Sequence, residues 1–408
     1  MVDNRIVIRG FDEERDGEMV GKLEGDCENQ GSIHDKHHDD NEDGGHDHHH
    51  LHKRVSTFTN MMGKGDPLCR IRLYPLHLML VAELQESREV VGVVKGCIKS
   101  VGTKHLGSEN VKLGCIIGLR VSSNHRRMGI GVRLVHSVEE WMARNKVDYT
   151  FLATEKTNVA SRNLFTSKCN YTQLASLVIF IQEPSSVKQY SAIPKAIKIE
   201  SLRVEEAISM YNIKLKEKDI YPTDIEAILK EKMNLGTWVS YFKDEKWVRA
   251  GEGETPSSWV MFSVWSSCQA NNGEWLLPQV KFLSSVMEKA REKILPACLK
   301  VPRSVEKKRL GFLFLFGIHG EGERVEELVK STWRFTMRLA ETVKGCEVVL
   351  TEMGVSDPLV RFLEPQAIPG LSCIDDVWYI KRATCHGGCA GDEVTGELGN
   401  VFVDPRDF

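Results

Sequence analysis

The short branched apolar run of residues 5–9, "RIVIR", bounded by arginines, has enough of the strand pattern to predict a first strand. Two longer runs follow at 76–86, "LHLMLVAELQE", and 88–101, "REVVGVVKGCIKSV". Branched apolar residues dominate both, and the polar "QESRE" between them predicts a hairpin turn. A further strand is predicted at 112–121, "KLGCIIGLRV". The period then lengthens. Ile130, Leu134, Val135, Val138, Trp141 and Met142 recur at intervals of three and four, one face of an amphipathic helix. "DYTFLATE" (148–155) predicts a strand, "NVASRNLFTSK" (158–168) a short helix and "YTQLASLVIFI" (171–181) a closing strand.

The second half repeats part of this plan. "GTWVSYF" (236–242) and "SSWVMFSVWSS" (257–267) predict strands, and "FLFLFGIHGEGERVEELV" runs strand, glycine turn, helix, as residues 113–138 do. The predicted helix face is Val325, Leu328, Val329, Thr332, Phe335 and Leu339. "CEVVLTE" (346–352) matches "DYTFLATE" in place and in its final Thr-Glu; "DPLVRFL" (357–363) and "DVWYIK" (376–381) close the repeat as a short helix and a strand. The expected class is α+β: a mixed, mostly antiparallel sheet flanked by helices, in two tandem units. The units are 1–183 and 196–383, joined by a polar linker with two prolines at 184–195 and followed by a tail at 384–408.

Composition changes this picture in one place. Residues 24–53 are acidic and hold eight of the fourteen histidines, with little apolar surface to offset the entropy of ordering. They read as a flexible insertion. Its "HDHHH" could bind a transition metal weakly, as an accidental affinity, and "CHGGC" in the tail (Cys385, His386, Cys389) has no partner pair at zinc spacing, so no metal site is expected. Elsewhere the chain is ordinary: 408 residues, 41% hydrophobic, 27% charged, formal net charge −3. That charge gives no global field to attract nucleic acid or an anionic membrane. There is no signal-peptide pattern and no run long enough to span a bilayer. Eleven scattered cysteines suit an intracellular, reduced protein.

The chemistry gathers at "NHRRMGIGVRL" (124–134), where two arginines and two glycines precede the amphipathic helix. A helix's first turn exposes N–H groups without acceptors at the positive end of its dipole, which suits a phosphate. Gly129 and Gly131 permit close approach and unusual backbone angles, and Arg126 and Arg127 supply charge-assisted bonds. No Gly-Lys-Ser/Thr follows Gly131, which excludes the triphosphate loop. The dinucleotide fingerprint needs a third glycine where Leu134 stands. What remains is Arg-x-x-Gly-x-Gly after a strand and before a helix. This resembles the pyrophosphate motif of the GNAT superfamily of acetyl-CoA-dependent N-acetyltransferases. "TNVASRNLFTSKCNYT" resembles that family's downstream helix, with Asn158 at its asparagine, Leu164–Phe165 at its Leu-Tyr pair and Asn170–Tyr171 at its Gly-Phe pair. "GDPLCRIRLYPLHLMLVAEL", "GLRVSSNHRRMGIG", "SSWVMFSVW" and "FVDPRDF" resemble the plant Hookless-like N-acetyltransferases within it.

The resemblance implies acetyl-CoA as co-substrate and an amine of a protein, histone tails included, or of a small molecule as acceptor. It implies a role in differential growth of seedlings and a place in the nucleus; the cytoplasm is the alternative. It further implies that the sheet splays between 113–121 and 149–155, with pantetheine along the backbone near Leu119 and Val121. The diphosphate would lie on Arg126, Arg127, Met128, Gly129, Ile130 and Gly131, with Asn158 and Phe165 nearby. A neutral amine is rare at pH 7, so a base is needed; Glu155 and Glu83 are the candidates, against a merely solvated Glu155. The family's acid, a tyrosine, is replaced by Phe165, and Tyr149, Tyr171 and Cys115 are the unranked substitutes. This leaves open a catalytically weak regulatory or scaffold protein. In the second repeat Gly317, Gly320 and Gly322 persist, but Glu321, Glu323, Glu326 and Glu327 stand where a diphosphate needs cations. That half is expected to keep the fold without the co-substrate and to shape the acceptor site, bind a protein partner or stabilise the first.

Overall fold

The computed structural model describes residues 6–31, 66–184, 192–247, 256–268, 311–363, 365, 368, 370–383 and 397–408. The first repeat runs β1 (Ile6–Gly10), α1 (Glu13–Gly31), β2 (Leu76–Leu84), β3 (Val90–Thr103), β4 (Asn110–Val121), α2 (Ile130–Arg144), β5 (Tyr149–Glu155), α3 (Val159–Cys169) and β6 (Thr172–Gln182). The second runs β7 (Ile197–Leu202), α4 (Val204–Lys214), β8 (Ile220–Pro222), α5 (Ile225–Lys230), β9 (Asn234–Phe242), β10 (Trp259–Ser266), β11 (Gly311–Glu321), α6 (Val325–Thr342), β12 (Cys346–Gly354) and β13 (Ser372–Arg382). The short helix expected at 357–363 is a 3-10 turn at Val360–Leu363.

All these strands share one sheet, in the order β1-β2-β3-β4-β5-β13-β6-β12-β11-β10-β9-β7, with β8 on β3. The order is a palindrome: each strand of one repeat has its counterpart at the mirrored place. β4–β5 and β11–β12 are the parallel pairs, and the others along the path are antiparallel. At the centre the last strands are exchanged. β13 of the second repeat pairs with β5 of the first, and β6 of the first pairs with β12 of the second. The boundary near residue 183 therefore separates the repeats in sequence but not in space.

One sheet face carries α2 and α3 over the first repeat, with Ile130, Leu134, Val135, Val138 and Met142 buried as their spacing predicts. α6 covers the same face of the second repeat through Leu328, Val329 and Trp333. The other face is a single apolar core that crosses both repeats.

Two expectations are corrected on that second face. The acidic insertion does not begin at Glu24, because α1 continues to Gly31. Val20, Leu23 and Cys27 lie three and four apart and pack on the core, while Glu24 pairs with the buried Lys95 at 2.8 Å. Acid-rich composition masked that stripe; residues 32–53 lie outside the described residues, as does "CHGGC". The end of the chain is no loose tail either. Leu398, Val401, Phe402, Val403 and Phe408 are buried, and Phe408 stacks on Phe314 of β11 at 4.4 Å. Arg406 is held by Asp404 and Asp224, and Lys99 by Asp404 and Asp407. The apolar residues of "FVDPRDF" enter the core, and its buried charges are met by one another and by Lys99 and Asp224.

Candidate active site

β4 and β5 pair only at Leu113–Tyr149, Gly114–Thr150 and Cys115–Phe151. Beyond Cys115 they part, although β4 continues to Val121 and β5 to Glu155. The cause is local. Gly118 has φ +62°, and β4 holds two residues, Gly118 and Leu119, where β3 holds only Val94. Such a bulge bends the strand away from its neighbour. Ser122 N–H donates to Val91 O, so Val121, opposite Gly92, turns its own peptide groups toward the wedge. The carbonyls of Leu119 and Val121 accept from the side chains of Arg120 (3.0 Å) and Arg126 (3.3 Å). Val121 O also accepts from Cys27 Sγ at 3.6 Å, so among the described residues side chains, and no strand, occupy this edge of β4 beyond Cys115, and an extended, amide-bearing chain could join it in their place.

At its mouth lies the turn. Gly129 is the N-cap of α2 at φ +81°, with open space around the missing Cβ and no side chain capping the helix. Arg127 takes φ +64°, and Arg126, Arg127, Met128 and Gly129 are exposed. No acidic residue stands in the first turn of α2. Among the described residues this is a cradle with uncapped amides, two cations (Arg126 also donating to Val121 O) and nothing filling it, which fits a diphosphate. Two of the predicted residues act differently from expectation. A Cβ on Gly131 would meet Leu164 Cδ1 at 2.9 Å, so that glycine serves the packing of α2 on α3. The Ile130 side chain is buried in the core, leaving its backbone for the ligand.

Other candidates are relocated by the structure. Asn158 is the N-cap of α3, its Oδ1 accepting from Ser161 N–H at 3.1 Å. Phe165 does not face the wedge: it is buried, edge-on to Tyr171 at 5.4 Å. The apolar face of α3 must fill the space beside α2, and position 165 is on it. Glu83 is no free base either. It is buried on β2 and held by Arg9, Arg15 and Arg88. The substitutes for the acid are also occupied. Tyr171 O–H donates to Glu139 at 2.8 Å, and burial together with that carboxylate pushes its pKa far up. Tyr149 O–H donates to Leu106 O, and Cys115 is buried opposite Cys97.

Glu155 ends β5 at the open end of the wedge, half-buried, beside exposed Ala153. Burial raises its pKa, against the Thr157 hydroxyl and the Arg120 guanidinium, which lower it. Directly across from it in register is Asp376 of β13. Two residues missed in the sequence complete a row on this face: Asp376 and Glu352 of β12, both buried and close enough to shift each other's ionisation. Desolvation lifts Asp376 to about 7, and lifts Glu352 well above its ordinary value. The signal for Glu352 was the Thr-Glu shared by "DYTFLATE" and "CEVVLTE"; for Asp376 it was an acid inside an apolar strand.

The corresponding turn of the second repeat is closed. Gly317 repeats the positive φ of Gly118 (+63°), but Tyr211 of α4 lies against it and donates to its carbonyl at 3.1 Å. A Cβ on Gly322 would meet Ser257 O at 2.2 Å, Ser258 Oγ takes the N–H of Arg324 at the start of α6, and Glu326 and Glu327 fill the first turn.

Comparison with known proteins agrees with this geometry. A model of the acetyltransferase (GNAT) family matches residues 46–171. The "Probable N-acetyltransferase HLS1" of Arabidopsis thaliana is 35% identical over 388 residues, 87% of this chain and 93% of that protein. The chain belongs to the Hookless-like branch of the GNAT superfamily. A second Arabidopsis relative, "Probable N-acetyltransferase HLS1-like", is 35% identical over 391 residues, 87% of this chain and 92% of its own. The "Acetyl transferase GW6a" of Oryza sativa subsp. japonica is 31% identical over 427 residues, 99% of this chain and 97% of its own. Both halves therefore belong to the Hookless-like architecture, and the GNAT motif falls in the repeat whose wedge and turn are open.

Proposed function

We propose that the chain is an acetyl-CoA-dependent N-acetyltransferase acting on an amine of a protein, histone tails included, or of a small molecule. The observation that carries this is the coincidence of an open strand wedge with an uncapped helix N-terminus at its mouth. The α2 amides with Arg126 and Arg127 hold the diphosphate, and the strand edge at Val121, where the pantetheine arm replaces the Arg126 and Cys27 side chains, aligns that arm. A peptide N–H beside the thioester polarises its carbonyl. Glu155, with its raised pKa, takes the proton that an alkylammonium must lose before its nitrogen can attack. Only the first repeat binds the thioester, since the second turn is filled and acidic.

The burial of Phe165 favours a second reading, in which the fold binds acetyl-CoA as a regulatory scaffold without turnover. Thioester consumption over an amine panel separates the two. The enzyme reading expects acetylated product that Arg126→Glu and Gly129→Trp each reduce by at least about 100-fold, the loss typical of a removed catalytic or charge-binding contact. Acetyl-CoA binding with no product on any amine would favour the scaffold.

A further inference from the structure

The palindromic sheet places Glu155, the last residue of β5, and Glu352, its equivalent two residues before the end of β12, on either side of the exchanged pair β13–β6. Alternation along paired strands puts Phe151, Ala153 and Glu155 on the same face as Ile380, Trp378 and Asp376, and carries that face on through Leu177 and Ile179 to Glu352. Asp376 is 5% exposed and Glu352 7%, in a setting otherwise apolar. The two carboxyls are close enough for each to shift the other's ionisation, and Trp378 lies beside Glu352. Glu352 Oε1 nevertheless has no hydrogen-bond partner among the described residues. A buried carboxyl oxygen left unpaired is costly unless something donates to it. Trp378 also lies edge-on to Phe151 at 5.0 Å, so the row has an aromatic wall of the type that attracts cations.

We propose that Glu155, Asp376 and Glu352 together form the acceptor site, recognising a primary alkylammonium and receiving its proton, with the second repeat supplying two of the three carboxyls. The inference rests on the acetyltransferase reading for the reaction itself. In that reaction the N–C bond forms as the C–S bond breaks. One ammonium proton passes to Glu155 and on to the Asp376–Glu352 pair, which releases it to solvent. A second proton leaves the nitrogen during attack and reaches the departing sulfur. The charged groups facing the row are Arg120 beside Glu155, Asp407 of the C-terminal segment beside Glu352, and Lys99, which is paired with Asp404 and Asp407 and already lies 5.8 Å over the Phe151 ring. Asp376 and Glu352 touch the amine's proton rather than the thioester, so their loss spares acetyl-CoA binding.

The test uses the full chain, a terminally blocked peptide with one free lysine, and the same peptide with norleucine in its place. Calorimetry measures each peptide and acetyl-CoA separately; kinetics follow the pH profile of transfer to the lysine peptide. The expectation is that wild type binds the lysine peptide at least about 10-fold tighter than the norleucine peptide. Asp376→Asn and Glu352→Gln should abolish that preference and lower kcat/KM at least about 100-fold, the range of a lost proton acceptor. Acetyl-CoA affinity should stay within about twofold, and Asp376→Asn should remove the ionisation near pH 7 from the profile. Should Asp376→Asn fail to fold, the nearly isosteric Glu352→Gln carries the same comparison. Equal binding of the two peptides by wild type, or variants with wild-type preference and profile, overturns the inference. Failure of wild type to bind acetyl-CoA overturns the functional reading instead, and is read in a separate titration.

Discussion

Gly129 and Gly131 are two residues apart and glycine for different reasons. Gly129 needs its φ of +81° and the open approach in front of it, whereas Gly131 needs room for Leu164. The motif in the sequence could not separate these roles, because both appear as a glycine beside a helix start. Asp376 shows the opposite case, a residue whose role depends wholly on its strand neighbours. Its carboxyl ionises near 3.8 when unfolded and at about 7 when folded. Between pH 5 and 7 the unfolded chain has already released this proton and the folded chain still holds it. Stability from this group therefore falls as pH rises through that window. Glu352 acts in the same direction. The melting temperature of Asp376→Asn should fall less than that of wild type from pH 5 to 7; parallel curves would contradict the burial of this acid.

At the scale of elements, strands and amphipathic helices were legible wherever the period was unbroken. β2 to β6 and β9 to β13 fall where alternation or apolar runs predict them, and α2 and α6 bury the faces their spacing marks. α1 escaped because its stripe of Val20, Leu23 and Cys27 is interrupted by acids and precedes a polar segment. The turn before α2 was legible as an anion site since its chemistry is local: cations, glycines and a helix start within eight residues. The closed turn before α6 was legible only in part. Its glutamates were visible, but Tyr211 against Gly317 and Ser258 on Arg324 come from α4 and the start of β10. Phe165 was misplaced for a related reason, as the motif fixes its position on α3 but not which way that helix face turns.

For the whole molecule, the exchange of β6 and β13 could not be read from the chain, because either final strand has the same pattern and could close its own repeat. The exchange makes a single cooperative body: removing either repeat strips the other of its central neighbour. Calorimetric unfolding should show one transition for both repeats, and two well-separated transitions would contradict the continuous sheet. The C-terminal segment contributes to the same body. Phe408→Ala, which deletes the ring stacked on Phe314, should cost about 3–5 kcal/mol while keeping a single transition. Loss of stability well below that range would mean that the segment is not part of the core.

The central claim is that the free amides and cations at the start of α2 hold the diphosphate of acetyl-CoA, once per chain. Calorimetric titration of acetyl-CoA into wild type, Gly129→Trp and Arg126→Glu tests it most directly. The expected result is one site in wild type and a loss of at least about 10-fold in affinity in each variant, the scale of one charge-assisted contact. Two sites per chain, or variants that bind as wild type does, would contradict it.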